Sequence, residues 1–296
     1  MEKTMFRLKY YIIIGLLHML ALLPFRMLYV LSDFICLILY RIVRYRRKVV
    51  RRNLGNSFPE KTPAELRQIE RRFYSYLCDC IVETVKLLHI SDSELTRRAE
   101  IRNADIVNEI ASKGHPMVLF MGHYGNWEWV QTASMVLRKP LVMGGIYHPA
   151  KNKVMDRVMQ RIRSRFDTLC IPMKSTYRTL MKLKDEGTPF LIGFISDQRP
   201  AGTIHDSHWT DFMHQSTPYL TGGETIGNRI GAKFLYMDVE RVRRGYYTMT
   251  FRTMEIPQGD TSEYPYTLQF LKLLEQSIRR APEYWLWSHN RWKHRR

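Results

Sequence analysis

The segment PMVLFMGHYGNWEW, residues 116–129, joins an apolar run to a polar turn. Its first seven residues have the length and uniform apolarity of a strand buried on both faces. Polar groups follow at once: His123, Gly125 for a tight turn, Asn126 as a helix cap, and Glu128 in the first turn of a helix. A strand buried on both faces belongs to a helix-covered parallel sheet. Runs of the same kind recur as PLVMGGIY (140–147), TLCIP (168–172), PFLIGFIS (189–196) and AKFLYMDVE (232–240), with amphipathic stretches between them. The expected class is therefore α/β, a mainly parallel sheet flanked by helices. GYYTMTFRTMEI (245–256) reads as a further strand beside 232–240, and residues 262–280 as a terminal helix ending near Pro282. Residues 64–90 read as a packing helix through Phe73, Leu77, Ile81, Val85 and Leu88, with Thr62 as its cap.

The chain has 296 residues, 45% of them hydrophobic, which suffices for one large domain or a domain plus an anchor. Lys and Arg number 46 against 28 Asp and Glu, a net charge of +18 that draws phosphates, anionic membranes or nucleic acid. No zinc-finger, RNP-type or P-loop pattern accompanies this charge, so nucleic acid is not an expected partner. Cysteines 36, 78, 80 and 170 form neither a CxxC motif nor zinc knuckles and read as reduced thiols on the cytoplasmic side. HDSHWTDFMH (205–214) offers His205, His208 and His214 with Asp206 and Asp211. Without a thiolate or a helical HExxH pairing it reads as a polar loop, and no metal is expected.

Two apolar runs open the chain, YYIIIGLLHMLALLPF (10–25) and MLYVLSDFICLILY (27–40), separated by Arg26 just after Pro24. Each is short for a span of about 20 residues. Together they suit one tilted anchor or a shallow hairpin that must accommodate Arg26 and Asp33; a buried helix pair in a soluble domain is the alternative. RIVRYRRKVVRR (41–52) then carries seven basic residues and no acid, a juxtamembrane clamp for an anionic leaflet. The expected division is 1–52, membrane anchor and basic segment, and 53–296, the soluble domain. Neither a cleavable signal peptide nor an internal repeat is evident.

In open α/β sheets reacting groups collect at the carboxyl ends of strands, and two apolar runs end in chemistry there, at His123 and at Asp197. A carboxylate at Glu128 can hold one imidazole nitrogen protonated while the other takes a proton from an attacking hydroxyl, without a covalent acyl-enzyme. KNKVMDRVMQRIRSRF (151–166) places Val154, Val158 and Ile162 on one helical face and Arg157, Arg161 and Arg165 on another. Asp197, Gln198 and Arg199 fit a positioning cluster or a strand-end turn. Arg291 and Lys293 fit phosphate or membrane contacts, or a solvated tail. Trp285, Trp287 and Trp292 fit the core or a membrane interface.

The HX4E pattern of His123 and Glu128 after a strand resembles the lysophospholipid acyltransferase-like superfamily. NLGNSFPEK (53–61), IYHPAKNKVMDRVMQRIRSRF (146–166), ISDQRP (195–200) and WLWSHNRWK (285–293) look like the late, or secondary, lipid A biosynthesis acyltransferases, a resemblance running from about residue 10 to 296. It implies an enzyme on the cytoplasmic face of a bacterial inner membrane, among anionic lipids. Such an enzyme moves an acyl group from acyl carrier protein, or coenzyme A, to a hydroxyl of a lipid A precursor, without a cofactor. By resemblance His123 is the general base, Glu128 its partner, Arg165 a substrate-anion or oxyanion contact and Asp197 a structural or catalytic support; Asn126, Gln198 and Arg199 beside them are candidate substrate contacts. The runner-up keeps the chemistry with another envelope lipid as acceptor: a glycerolipid, an aminolipid or a phosphatidylinositol mannoside. A basic, non-enzymatic membrane-surface protein is the reading from a different class.

Overall fold

A computed structural model describes residues 2–200 and 208–293; His205 and Asp206 of the histidine-rich loop lie outside the described residues. The chain opens with two apolar helices, α1 (Glu2–Leu22) and α2 (Phe25–Leu37), parted at Pro24, which cannot supply an N–H to a continuous helix. A π-helical turn (Ile38–Ile42) leads into the basic segment, where Arg44 and Arg46 both take positive φ before α3 (Arg47–Ser57). The long helix α4 (Pro63–Lys86) starts as the sequence predicts: Thr62 accepts from the Glu65 N–H, Glu65 returns the bond to the Thr62 N–H at 2.7 Å, and Pro63 fills the first turn.

After α5 (Asp92–Arg98) come β1 (Ala99–Arg102), α6 (Ala104–Ser112), β2 (Met117–Met121) and a 3-10 helix (Trp127–Met135). β3 (Val142–Tyr147), α7 (Lys153–Arg163), β4 (Leu169–Pro172), α8 (Thr176–Asp185) and β5 (Phe190–Ile195) follow. The ribbon β6 (Trp209–Phe212) and β7 (Gln215–Pro218) precedes α9 (Gly222–Ile230), the long pair β8 (Lys233–Arg243) and β9 (Tyr246–Thr253), and α10 (Pro265–Arg280). The main sheet runs β1-β9-β8-β2-β5-β3-β4, and only the β8–β9 pair in it is antiparallel. The expected α/β architecture is therefore present, and every apolar run read as a strand is one. β1, AEIR, and the ribbon strands β6 and β7, the first of them inside the segment read as a polar loop, escaped the reading because each is four residues long, too little to show a period.

β2 lies at the centre and is buried throughout. Phe120 stacks on Phe234 of β8 and Phe270 of α10, with α9 and α10 packed over this face. Gly227 lets α9 approach closely, since a Cβ there would meet the Phe234 ring at 2.5 Å. Trp285, Trp287 and Trp292 are buried, which settles their role in favour of the core.

α4 carries the main internal charge network. The buried Asp79 carboxylate accepts from Ser32 Oγ of α2 (2.7 Å), Arg241 (2.7 Å) and Arg244 (2.6 Å), and Arg244 also binds Asp33 at 2.6 Å. The Asp33 that the sequence left to be accommodated is thus neutralised by the β8–β9 turn. Asp79→Ala strands the buried Arg241 guanidinium without its carboxylate. It is expected to lower stability by about 3–5 kcal/mol, read as a fall in the denaturant midpoint of detergent-solubilised protein.

Candidate active site

Strand register brings the two polar strand ends together. Met121 of β2 pairs with Ile195 of β5, and the Ser196 N–H donates to the Met121 carbonyl at 3.2 Å. His123 and Asp197 each stand two residues beyond that pair, on strands about 4.8 Å apart. Asp197 Oδ1 lies 2.7 Å from His123 Nδ1, and Oδ2 accepts from the His123 backbone N–H at 2.9 Å and from Trp285 Nε1 at 2.8 Å. Burial alone would raise the Asp197 carboxyl. The His123 charge and the three hydrogen bonds outweigh it, and the net shift is below the ordinary carboxylate value. An ionised Asp197 only accepts, so the Nδ1 that faces it carries a proton, which leaves Nε2 as the ring nitrogen clear of the carboxylate. Gln198 Nε2 lies 3.3 Å from that nitrogen, and the Trp127 ring stands edge-on to the imidazole at 5.2 Å.

The carboxylate that holds the ring is therefore Asp197, not Glu128 as the motif spacing suggested. Glu128 faces α7, where Arg163 binds it with both arms of its fork, Nε to Oε2 at 2.9 Å and Nη2 to Oε1 at 2.5 Å. Burial opposes the charge on Arg163, but the hydrogen bond and charge of Glu128 prevail and raise its pKa above the ordinary guanidinium value. Sequence reasoning missed Arg163. Val154, Val158 and Ile162 do form the buried face of α7, but it is Arg163 that reaches Glu128, while Asp156 and Gln160, two turns and one turn before it, bond to each other and Gln160 to Tyr147. Spacing i, i+4, i+7 within the helix was the available signal.

Arg165 is placed elsewhere. It follows the last turn of α7 and donates to the Leu87 and Ile90 carbonyls beyond the end of α4, with Asp92 at 3.7 Å. Its guanidinium is spent on closing orphan carbonyls rather than on a substrate anion. Asn126 likewise neither caps a helix nor faces the imidazole. Its amide is buried and donates to Glu83 Oε2 at 2.7 Å, because the following segment is a 3-10 helix without a side-chain cap. Arg199 uses its backbone N–H to reach His289 Nε2 at 3.4 Å. Burial pushes His289 down to about 4, so it stays neutral and able to accept.

The loop from 123 to 126 is clamped from two sides. Gly125 has φ +59, and a Cβ there would meet Val239 Cγ1 at 2.4 Å, so only glycine makes this turn without strain. α4 supplies Tyr76, whose hydroxyl donates to the Gly125 carbonyl at 2.5 Å, and Glu83, which holds Asn126 and whose carbonyl accepts from Trp129 Nε1. The closing segment supplies the second wall: Gly125 N–H donates to the Tyr284 carbonyl, and Leu286 N–H to the His123 carbonyl at 3.1 Å. Arg291 in that segment is buried, donates to the Pro218 carbonyl at 2.6 Å and is lowered to about 10 by burial; Lys293 is exposed. A cleft of about 310 Å³ borders the segment at Leu286, Ser288 and His289, with Leu39, Tyr45, Arg46, Leu77 and Ile81 on its other wall. Among the described residues no three histidine, cysteine or carboxylate side chains group closely enough to hold a metal ion, and the cysteines are free thiols.

The sequence has relatives. The chain is 24% identical over 284 residues to the lipid A biosynthesis palmitoleoyltransferase of Escherichia coli (strain K12), covering 95% of this chain and 90% of that protein. The lipid A biosynthesis acyltransferase of Shigella flexneri is similar to the same extent, and the lauroyltransferase of Escherichia coli (strain K12) is 22% identical over 286 residues, again 95% and 90% covered. The family model of bacterial lipid A biosynthesis acyltransferases matches residues 2–294, and the chain belongs to that family.

Proposed function

We propose that this protein moves a fatty acyl group from the thioester of acyl carrier protein to a hydroxyl of a lipid A precursor at a bacterial inner membrane, on its cytoplasmic face. The observation that carries the reading is the His123–Asp197 pair at the carboxyl ends of the two central strands, in a chain covered almost end to end by an acyltransferase family. His123 Nε2 takes the proton of the acceptor hydroxyl as its oxygen attacks the thioester carbonyl. A carbon–oxygen bond forms, the carbon–sulfur bond breaks, and the proton on Nε2 passes to the leaving thiolate. Asp197 fixes the tautomer and stabilises the imidazolium as it forms.

The Glu128–Arg163 pair supplies the second function. Glu128 engages the Nε side of the Arg163 fork and leaves Nη1 donors to meet an anion, either the developing oxyanion or a phosphate of the donor arm or glycolipid. Glu128 is thus a positioning residue for a cation, and the HX4E spacing reads as base plus arginine-holder. Gln198, 3.3 Å from Nε2, is within reach of a hydroxyl bound to that nitrogen.

The direct test is the mass spectrum of lipid A from cells with wild-type enzyme, with His123→Ala, and with no enzyme. One acyl mass is expected to disappear in the latter two, with transfer by the purified variant down about 10²–10⁴-fold. Unchanged lipid A with a shift in another lipid would move the acceptor class, and no lipid change would end the reading. Asp197→Asn is expected to lower kcat by a similar factor, since an amide no longer fixes the tautomer. Because the folded Asp197 value is depressed, its stabilisation is full above the unfolded value of about 3.9 and is lost as pH falls through the folded one. The melting difference between wild type and Asp197→Asn should therefore hold steady from about pH 5 to 8 and narrow below pH ~4. Arg163→Lys, which keeps the charge and loses the fork, is expected to lower kcat/KM by at least about tenfold, whereas Arg165→Ala should act on stability and leave kcat/KM within about threefold.

A further inference from the structure

α1 is long and apolar enough to cross a bilayer, over Thr4–Leu22. Its packing argues otherwise. Tyr10 lies under the Arg157 guanidinium of α7 at 4.8 Å, Ile14 is buried, His18 Nδ1 meets His89 Nε2 beyond the end of α4 at 2.7 Å, and Ala21 is buried. Lys86 Nζ of α4 donates at 2.8 Å to the Ala21 and Leu23 carbonyls, closing the end of the helix. Positions 10, 14, 18 and 21 form one helical face, docked for about three turns, or roughly 16 Å, against helices that carry charge. The part before Tyr10 spans only about 12 Å, against a hydrocarbon core of about 30 Å. To cross, α1 would have to leave α4 and α7, or carry Arg157 and Lys86 into the hydrocarbon with it.

The opposite face of α1 exposes Met5, Leu8, Ile12, Leu16 and Met19, each more than half accessible. The belt continues through Met27, Val30, Phe34 and Leu37 of α2 and on to Ile42 and Val43, where the basic turn Arg44–Lys48 begins. Arg7, Lys9 and Arg26 are exposed beside it, with stems long enough to lift their charges to headgroup level. A continuous apolar face edged by cations fits the surface of an anionic leaflet.

We propose that α1 and α2 lie in the plane of one leaflet, docked on α4 and α7, and that the chain does not cross the bilayer. Both ends of α1 then stay on the side that holds the soluble domain. Leu39, Tyr45 and Ile81, at the edge of the belt, also line the cleft beside Ser288 and His289, so the mouth of that cleft lies at the level of the leaflet.

Two experiments on the full-length protein test this, neither of which depends on acyl transfer. Thr4→Cys, in a chain whose own cysteines are replaced by serine, is treated with a membrane-impermeant maleimide in sealed vesicles of defined orientation, with Lys113→Cys reporting the side of the domain. Thr4→Cys should react on the Lys113 side or be protected from both sides until detergent is added; reaction on the opposite side overturns the proposal. Val30→Glu with Phe34→Glu should lower binding to phosphatidylethanolamine–phosphatidylglycerol vesicles by more than about tenfold while leaving the circular dichroism spectrum unchanged. A folded double variant that stays as firmly bound as wild type also overturns it.

Discussion

The one-to-one parallel register between β2 and β5 is the constraint on which the site depends. Because Met121 faces Ile195, the residues two steps beyond them emerge side by side, and the Asp197 carboxylate is buried where the His123 imidazole and backbone both point at it. A buried carboxylate is costly unless its lone pairs are taken up, and here two donors from His123 and the Trp285 indole do so. A one-residue slip would turn each apolar side chain of the strand to the other face and separate the pair. The buried core of β2 therefore fixes the geometry of the His123–Asp197 pair as well as the fold.

Around that pair the molecule places a second requirement on α4. Glu83, fully buried, accepts from Asn126 in the 123–126 loop (2.7 Å), from Tyr247 of β9 (2.7 Å) and from Tyr29 of α2 (3.0 Å). Burial raises its pKa, against the lowering by Arg241 and by the Tyr247 and Asn126 hydrogen bonds. One turn earlier Asp79 binds α2 and the β8–β9 turn. The 123–126 loop and the apolar helix α2 thus share acceptors on one helix. Such a network holds a single arrangement because each partner left unmatched would be buried without a hydrogen bond.

Much of this was written locally in the chain. The parallel α/β class, each apolar strand, the Thr62 cap and the buried face of α7 follow from runs, periods and caps that act within a few residues. His123 and Asp197 were legible as strand-end polar residues for the same reason. Gly125 was legible as a turn, and its φ of +59 agrees. The partner assignments were not legible. The HX4E spacing suggested Glu128 for the imidazole, but residues five apart across a tight turn need not face each other, and Glu128 faces Arg163 instead.

The sequence by itself determined which apolar segments would be strands, that polar side chains would stand at the ends of two of them, and that the first forty residues seek an apolar surrounding, because those properties are local sums of propensity and hydrophobicity. Only the tertiary structure decided that Asp197 rather than Glu128 holds His123, that Arg163 rather than Arg165 reaches the site, and that Asn126 serves Glu83. Those choices turn on strand register and on the docking of α4 and α7, contacts between residues 35 to 78 positions apart whose geometry no local pattern encodes.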